Sequence, residues 1–389
     1  MNLVQIVPQL APVPDGVGGY ATALAQGLAR ECLASRFLVA ASSEPAAADG
    51  GLPGTAALSA RQHSAHALAR LLAESGAELA LVHYVNYGYH PRGCPSWLVD
   101  GVARWRAAAR GRRLVTMFHE VYASGPPWRS SFWLSPVQRR LAARLLHASD
   151  GAATSLGLYA RMLDRWRPRQ AVVVAPVFSA VGEPAELPAP EERRPRRLVV
   201  FGGAGNRRRA YGELRQLLAA ACQALEVAEI VDLGPAIDEV PESLAGLPVR
   251  ALGSRPEGEV SAILRRAYAG FLAYPTPFLP KSTVFAAYCA HGLVPVCAWP
   301  HRVRQPALER PPCWDAGAEA APADPAALAA RARTWYAGHD LARQAAAFRA
   351  LLCEAQPGTR ASQSRVATGG PQTRAGTRAP EDAGTERES

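Results

Sequence analysis

The sequence contains almost no lysine. Its 43 Lys and Arg residues include Lys281 as the single Lys, and all the others are Arg. Together with the abundant Ala and Pro, this preference is typical of a GC-rich genome, so part of the formal net charge of +10 reflects coding bias. The excess of positive charge still favours anionic partners such as phosphates or acidic membrane surfaces.

Paired cysteines and long apolar runs are lacking as well. The seven Cys include no CxxC pair and no His lies at zinc-finger spacing, so we expect reduced thiols and no metal site. No stretch approaches the roughly 20 apolar residues of a membrane-spanning helix. The amino terminus lacks the basic and apolar regions of a signal peptide. These absences predict a cytoplasmic protein that does not span a membrane.

The first half of the chain alternates short apolar runs with longer amphipathic runs. Such alternation predicts βαβ units and a parallel sheet that is covered on both faces. The predicted strands are 2–8, 35–41, 79–85, 113–119, 151–155 and 171–175. The predicted helices are 18–32, 60–75, 98–109, 134–148 and 156–166.

A proline-rich and charged segment, residues 179–197, then predicts a linker, after which the pattern restarts. Predicted strands are 198–202, 229–233, 270–274 and 293–298, and predicted helices are 208–226, 258–268 and 282–291. Residues 325–353 are predicted to be mostly helical. Residues 356–389 hold almost no large apolar side chain, so we predict a disordered tail. We therefore expect two doubly wound α/β domains, 1–178 and 198–355, with a ligand cleft at the carboxyl ends of their strands.

Glycine-rich turns follow the first predicted strand of each half. Gly18 and Gly19 lie at the start of the first helix, and Gly202 and Gly203 follow strand 198–202. Glycine lets the backbone approach a ligand, and a helix N-terminus offers free N–H groups to a phosphate. The same glycines would equally serve only to make the turns. Their spacing does not match the GxGxxG fingerprint, which argues against a dehydrogenase.

Cations stand at two predicted helix starts in the second half: Arg207–Arg209 after Gly203, and Lys281 beside Ser282 and Thr283. A cation at a helix N-terminus opposes the helix dipole unless an anion neutralises both. Lys281 is also a compact point charge in a chain that otherwise uses planar guanidinium groups. We therefore favour a bound diphosphate, the alternative being a solvated basic surface.

Polar and aromatic side chains gather around the end of strand 113–119. His119 and Glu120 can hydrogen-bond a sugar or transfer a proton there, although loop capping would explain the pair equally simply. Flat rings suit a sugar or a lipid carrier, and a long loop that packs on itself is the alternative. In and next to the aromatic-rich loop stretches 84–90 and 126–133, the only basic residues are Arg92 and Arg129, which argues against nucleic-acid binding. Ten of the 28 aromatic residues lie within residues 84–133: Tyr84, Tyr87, Tyr89, Trp97, Trp105, Phe118, Tyr122, Trp128, Phe132 and Trp133.

In their order along the chain, these motifs resemble GT-B glycosyltransferases of the family 4 type over about residues 1–340. The matching segments are Gly18-Gly19, His119-Glu120, Asp150–Ser155, Phe201–Arg209, Leu252-Gly253 ahead of Glu257–Tyr268, Tyr274–Thr276, Ala290–Ala298 and Asp324–Leu328. The resemblance implies two Rossmann-like domains, with a nucleotide-sugar donor on the second and the acceptor on the first. It also implies retention of anomeric configuration and no metal or other cofactor. By the same resemblance, Gly19 lies near the donor phosphates, His119 near the donor sugar, and Arg208 or Arg209 near the diphosphate.

One departure from the family concerns a pair of Glu residues eight positions apart, where this chain has Leu279 and Ala287. Either Lys281 and Ser282 hold the donor phosphate instead, or catalysis has been lost. We predict a hexosyltransferase-like enzyme whose acceptor is a polysaccharide, a lipid-linked sugar or a small molecule, with peripheral contact to the inner face of the cell membrane. The alternatives are a non-catalytic GT-B protein that binds a sugar nucleotide or a partner enzyme, and a sugar-nucleotide epimerase.

Overall fold

The computed structural model describes residues 1–10, 16–40, 55–168, 170–301 and 310–353. By its internal contacts, Met1–Glu354 forms one compact unit. The tail predicted over residues 356–389 lies outside the described residues. Within the described ranges, no helix has both the length and the apolar character needed to cross a bilayer.

The first half folds around a seven-stranded sheet in which every pair of neighbouring strands is parallel. Its strands are β1 (Leu3–Val7), β2 (Ser35–Val39), β3 (Ala56–Ala57), β4 (Leu79–Tyr84), β5 (Arg113–Phe118), β6 (Gly151–Thr154) and β7 (Val173–Val174). They lie in the order β3-β2-β1-β4-β5-β6-β7. All residues of β1 and β4 are buried, as expected for a parallel sheet covered on both faces.

Six α-helices accompany this sheet in the described part of the chain. They are α1 (Gly16–Arg30), α2 (Ala65–Glu74), α3 (Asn86–Tyr89), α4 (Ser96–Ala107), α5 (Ser130–Ala148) and α6 (Gly157–Asp164). Apolar residues at helical spacing bury one face of each long helix, and Ser64 caps α2 by accepting a hydrogen bond from the Ala67 N–H at 3.1 Å. The predicted alternation of strands and helices is confirmed.

The second half repeats the plan with seven more strands. They are β8 (Arg197–Phe201), β9 (Glu229–Leu233), β10 (Ser243–Leu244), β11 (Leu247–Ala251), β12 (Ala269–Ala273), β13 (Val294–Ala298) and β14 (Trp314–Asp315), in the order β10-β11-β9-β8-β12-β13-β14. Among the strands that the structure describes in this half, only β10 and β11 pair antiparallel. The sequence did not predict β10, β11 or β14, because β10 and β14 have two residues each and β11 is mostly solvent-accessible.

The helices of this half are α7 (Ala204–Tyr211), α8 (Arg215–Ala224), α9 (Glu257–Arg266), α10 (Thr283–Ala290), α11 (Pro325–Ala337) and α12 (Leu341–Cys353). The single helix predicted over 208–226 is wrong, since Gly212 interrupts it with a non-helical ψ of −98°. The last helix, α12, packs against α1, where the Tyr20 hydroxyl donates to Gln344 Oε1 at 2.7 Å.

Both sheets reverse their strand order at one place. In the first sheet β1 is flanked by β2 and β4, and in the second β8 is flanked by β9 and β12. Consecutive crossovers depart in opposite directions from such a switch point, which leaves a crevice at the carboxyl ends of the two central strands. The segments that follow β1, β4, β8 and β12 are therefore the first places to look for a ligand site.

Candidate active site

A cavity of about 190 Å³ opens at the carboxyl ends of the first sheet and is closed by the segment that follows β12. It lies beside the switch point, because residues that follow β1, β4 and β5 all reach it. Its lining residues are Gly16, Val17, Tyr20, Val85, His119, Glu120, Ser155, Val177, Lys281 and Thr283. The structure thus brings together His119 and Glu120 from one half of the chain with Lys281 and Thr283 from the other.

Lys281 forms an ion pair across this cavity. Its Nζ donates to Glu120 Oε1 at 3.3 Å and lies 5.6 Å from the centre of the Tyr159 ring. Its side chain is only 21% exposed, against 42% for Glu120. Burial by itself would lower the pKa of the Lys281 ammonium, but the acidic groups around it, led by Tyr159 and Glu120, outweigh burial and raise this pKa. Lys281 therefore stays charged at the wall of the cavity.

A buried chain of polar side chains stands behind His119. Gln5, in the middle of β1, accepts a hydrogen bond from His83 Nε2 at 2.8 Å through its Oε1. The Gln5 amide nitrogen donates to Ser35 Oγ, also at 2.8 Å. His83 Nδ1 lies 3.2 Å from His119 Nε2. Gln5 and His83 are fully buried, so their polar atoms must satisfy one another.

This chain of contacts fixes the tautomer of His119. Because Gln5 Oε1 can only accept, His83 carries its proton on Nε2 and presents a lone pair at Nδ1. His119 then donates from Nε2 and keeps its own Nδ1 as a hydrogen-bond acceptor. Burial, together with the positive charge of Lys281, lowers the pKa of His119 to about 3. His119 is therefore a neutral acceptor at the cavity, and a general acid role at neutral pH does not fit it.

The glycines predicted to approach a ligand divide into two kinds. A Cβ on Gly18 would lie 2.5 Å from the Gln9 carbonyl oxygen, and Gly202 adopts a φ of +123° with Val284 3.0 Å from the site of a Cβ. Both are required by the local backbone itself. A Cβ on Gly19 or Gly203, in contrast, would meet no atom within 4 Å. These two positions leave the backbone accessible at the first turns of α1 and α7.

The three arginines at the start of α7 have different environments. Arg207 is 1% exposed and holds Asp232 through two hydrogen bonds, so it is a structural residue of the second sheet. Arg208 donates to Glu239 Oε1 at 3.0 Å on the surface. The Arg209 guanidinium lies 4.4 Å from the centre of the Trp299 ring, beyond the end of β13. None of the three lines the cavity described above.

Ser282 and Thr283 also differ in role. Ser282 Oγ accepts from the Phe285 N–H at 3.2 Å and caps α10, whereas Thr283 lines the cavity. Among the polar residues near the cavity, the sequence did not single out Gln5, His83 or Tyr159, and it marked Ser155 only as the end of the segment Asp150–Ser155. Gln5 and His83 had a visible signal, since each is polar within an otherwise apolar strand next to the switch point. Ser155 has a buried hydroxyl without a partner among the described residues, a feature that no sequence pattern indicates.

The aromatic concentration after β4 is divided between core and surface. Tyr84, Tyr89, Trp97, Trp105 and Phe118 are buried in the core of the first half. The remaining rings lie on the surface or close to it, and the most exposed are Trp128 and Trp133. Within the described part of the chain, no group of three or more His, Cys, Asp or Glu is arranged to hold a metal ion.

Comparison with known proteins gives matches among solved structures only, since no family model and no curated protein matches the chain. An alpha-glucosyltransferase in complex with UDP and a 13-mer DNA matches at a TM-score of 0.51 and 10% identity, covering 89% of this chain and 93% of that one. An E. coli trehalose-6-phosphate structure bound with UDP-2-fluoro glucose matches at 0.51 and 11%, covering 90% and 98%. A glycosyltransferase from Rickettsia africae matches at 0.51 and 10%, covering 91% and 99%.

These matches extend over nine-tenths of the chain, so they concern the whole two-sheet architecture. Their common fold consists of two parallel-rich sheets with flanking helices. The chain therefore has the GT-B fold, and the predicted fold class is confirmed. At 10–11% identity the likeness shows the fold alone, and the chemistry must be argued from the site.

Proposed function

We propose that this chain is a glycosyltransferase that moves a sugar from a nucleotide donor to an acceptor. The observation that carries the proposal is the cavity at the switch point, where Lys281 faces the amino-terminal turn of α1. A helix N-terminus and a nearby ammonium are both suited to a diphosphate. Two structures with the same fold are bound to UDP or UDP-2-fluoro glucose, which supports a uridine or similar nucleotide donor.

In this proposal the chain's own groups stabilise the leaving diphosphate. Lys281 and the N–H groups of α1 offset the charge that develops on it, so no metal or other cofactor is required. Gly19 and Gly203 let the donor approach the backbone, and Arg208 and Arg209 supply further positive charge at the carboxyl edge of the second sheet. We expect retention of configuration, as in the family that the motifs resemble.

His119 and Glu120 act on the sugars. His119, neutral and with Nδ1 as an acceptor, orients a donor-sugar hydroxyl. Glu120 releases Lys281 when the diphosphate binds to Lys281. Glu120 then accepts a hydrogen bond from the acceptor hydroxyl. The acceptor is a polysaccharide, a lipid-linked sugar or a small molecule, and peripheral contact with the inner face of the cell membrane suits the second of these. Nucleic acid is not among the proposed partners.

A second candidate is a non-catalytic GT-B protein that binds a sugar nucleotide or a partner enzyme. The observation in its favour is that Leu279 and Ala287, at the positions of the family's Glu pair, are both fully buried. Neither side chain has a carboxylate, so these two positions cannot make the donor contacts of the family's Glu pair. A sugar-nucleotide epimerase would use the same cleft without an acceptor.

One experiment separates these candidates. The chain is titrated calorimetrically with UDP and GDP, and the matching nucleotide sugars are then incubated with it, with and without oligosaccharide acceptors. Release of nucleoside diphosphate together with a glycosylated or hydrolysed sugar supports the transferase. Binding without any turnover would support the non-catalytic protein, and conversion of the donor sugar without release of nucleotide would support the epimerase. Failure to bind any nucleotide would contradict the transferase and the epimerase and would leave only a non-catalytic protein that binds a partner enzyme.

A further inference from the structure

A group of large apolar side chains is exposed on the first half of the molecule. Trp128 is 83% exposed, Trp133 69%, Val137 48% and Phe132 43%. We name these four side chains the aromatic ridge. In the described part of the chain, only Met1, Tyr87 and Val174 are other large apolar residues with comparable exposure. Solvent exposure of two Trp within six positions is unusual for a protein surface and marks an interaction site.

The ridge is built into α5 and the loop before it. The opposite face of α5 is buried through Gln138, Leu141, Ala142, Leu145 and Leu146, so the helix cannot rotate to hide the ridge. Trp133 Nε1 donates to the Pro127 carbonyl oxygen at 2.8 Å, and the rings of Phe132 and Trp133 pack edge to face at 5.2 Å. The rings are therefore held outward in a fixed arrangement.

The segment that carries the ridge contains no acidic residue at any position. From Val121 to Ser149 the sequence contains four Arg and no Asp or Glu. Arg139 donates to the Tyr122 hydroxyl and Arg144 pairs with Asp100. The guanidinium groups of Arg129 and Arg140 have no ion-pair or hydrogen-bond partner among the described residues. Arg140 and Arg144 continue the exposed stripe of α5 by helical spacing, three and seven positions after Val137.

We propose that the aromatic ridge and its arginines dock this chain on an anionic lipid bilayer. Trp and Phe side chains insert at the level of the lipid headgroups, while Arg contacts anionic lipids, and the two signals reinforce each other. A protein partner would be expected to offer acidic residues and a groove, whereas four projecting apolar groups beside unpaired arginines suit a flat, negatively charged surface.

The position of the ridge also indicates a class of acceptor. The chain runs from Glu120, which lines the cavity, directly into the loop that carries Trp128. Eight positions of chain span at most about 28 Å, so docking of the ridge would hold the cavity within that distance of the ridge. We infer that the acceptor is lipid-linked, a step that rests on the proposed transferase function, whereas the docking itself does not.

The test uses the full chain and vesicles of phosphatidylcholine, alone or mixed with phosphatidylglycerol. We expect cosedimentation with the mixed vesicles at low salt and weak binding to the neutral ones. The double variant Trp128→Ser/Trp133→Ser should bind the mixed vesicles about tenfold more weakly, because buried apolar area is lost. Arg129→Gln/Arg140→Gln should lose the preference for phosphatidylglycerol. The matched control, Arg70→Gln/Arg343→Gln, removes two exposed arginines elsewhere and should bind as the unmodified chain does.

Each variant is first checked for an unchanged thermal midpoint and for unchanged nucleotide binding in the absence of vesicles. Nucleotide binding without vesicle binding would overturn docking alone and leave the proposed function standing. Equal weakening by the control variant would also overturn it, since net charge would then explain the binding. So would a ridge variant that turns a dimer into a monomer in sedimentation equilibrium while vesicle binding persists, because the ridge would then cover a second copy of the chain.

Discussion

At the scale of a single residue, Arg207 and Arg208 have different roles although they are neighbours in one run of arginines. The Arg207 guanidinium is buried and tied to Asp232, while Arg208, next to it in the sequence, is 54% exposed. Removing one partner of a buried ion pair leaves the other charge buried and uncompensated. The sequence could not separate these roles, because a run of three arginines has no internal sign of which side chain turns inward.

Arg207→Ala should therefore cost about 3–5 kcal/mol in the free energy of unfolding. Arg208→Ala, which removes a solvent-exposed ion pair with Glu239, should cost less than about 1 kcal/mol. Urea denaturation of the two variants measures the difference. Equal and small losses would show that Arg207 is not held in the interior.

The buried contact between Gln5 and His83 makes a second prediction at this scale. Gln5→Met removes the acceptor that keeps the proton on His83 Nε2, so His119 should no longer be held as the Nε2–H tautomer. Ser35→Ala is the matched control, because it removes the outer partner of Gln5 and leaves Oε1 in place. We expect about a tenfold loss of nucleotide-sugar turnover for Gln5→Met and little change for Ser35→Ala.

Nitrogen NMR of histidine-labelled protein measures the tautomer directly and is not affected by a general loss of activity. The unmodified chain should show His119 with a protonated Nε2 and an unprotonated Nδ1. A protonated Nδ1 in the unmodified chain would contradict the role assigned to Gln5.

The third prediction at this scale concerns the stability of the fold at acidic pH. Burial lowers the pKa of His119 to about 3 and those of His291 and His339 to about 4. In the unfolded chain these rings take up protons near their usual pKa of about 6.5. Below that pH the unfolded state binds more protons than the native state, so stability falls as the pH falls from about 6.5 towards 4.

At pH 5.5 each of these buried rings should lower the free energy of unfolding by up to about 1.4 kcal/mol relative to neutral pH. Urea midpoints measured between pH 7.5 and 5.5 give the slope, and His339→Gln should make it shallower. A stability that stays constant over this range would contradict the neutral state of these rings.

At the scale of the element, the first turn of α1 contains Gly18, which the local backbone requires, and Gly19, which is accessible. Gly18→Ala places a methyl group against the Gln9 backbone and should cost about 1–3 kcal/mol of stability. Gly19→Ala meets no atom and replaces Gly by a better helix former, so stability should be equal or higher.

If the donor approaches α1, the same Gly19→Ala change should nonetheless weaken UDP binding. Thermal unfolding and nucleotide titration of the two variants test the pair together. A Gly19→Ala variant that binds UDP unchanged would show that this glycine only makes a turn.

The elements that the sequence predicted well are those whose apolar residues recur with a regular period. Strands such as β4 and β12 are buried at every residue, and their predicted ranges differ from the structure by one residue at each end or less. Two-residue strands such as β14 bury too little to leave a pattern. The break at Gly212 depends on a backbone angle, and Gly inside a run of helix-forming residues does not specify one.

At the scale of the whole molecule, the site depends on residues that are far apart in the chain. The sequence identified Lys281 as unusual and His119 with Glu120 as a pair at a strand end. They meet across 161 positions because the segments that follow β5 and β12 line the same cavity, which strand order alone does not reveal. The helix α12 likewise returns to α1 through a contact between Tyr20 and Gln344 that no local pattern encodes.

The central claim is that the cavity at the first switch point holds a nucleotide diphosphate on Lys281. Calorimetric titration with UDP and GDP tests it most directly. The unmodified chain should bind one of them, and Lys281→Ala should bind that nucleotide at least about tenfold more weakly, a loss of about 1.4 kcal/mol. Arg250→Ala breaks an exposed ion pair with the same 3.3 Å separation and should bind as the unmodified chain does. A Lys281→Ala chain with undiminished affinity would contradict the account.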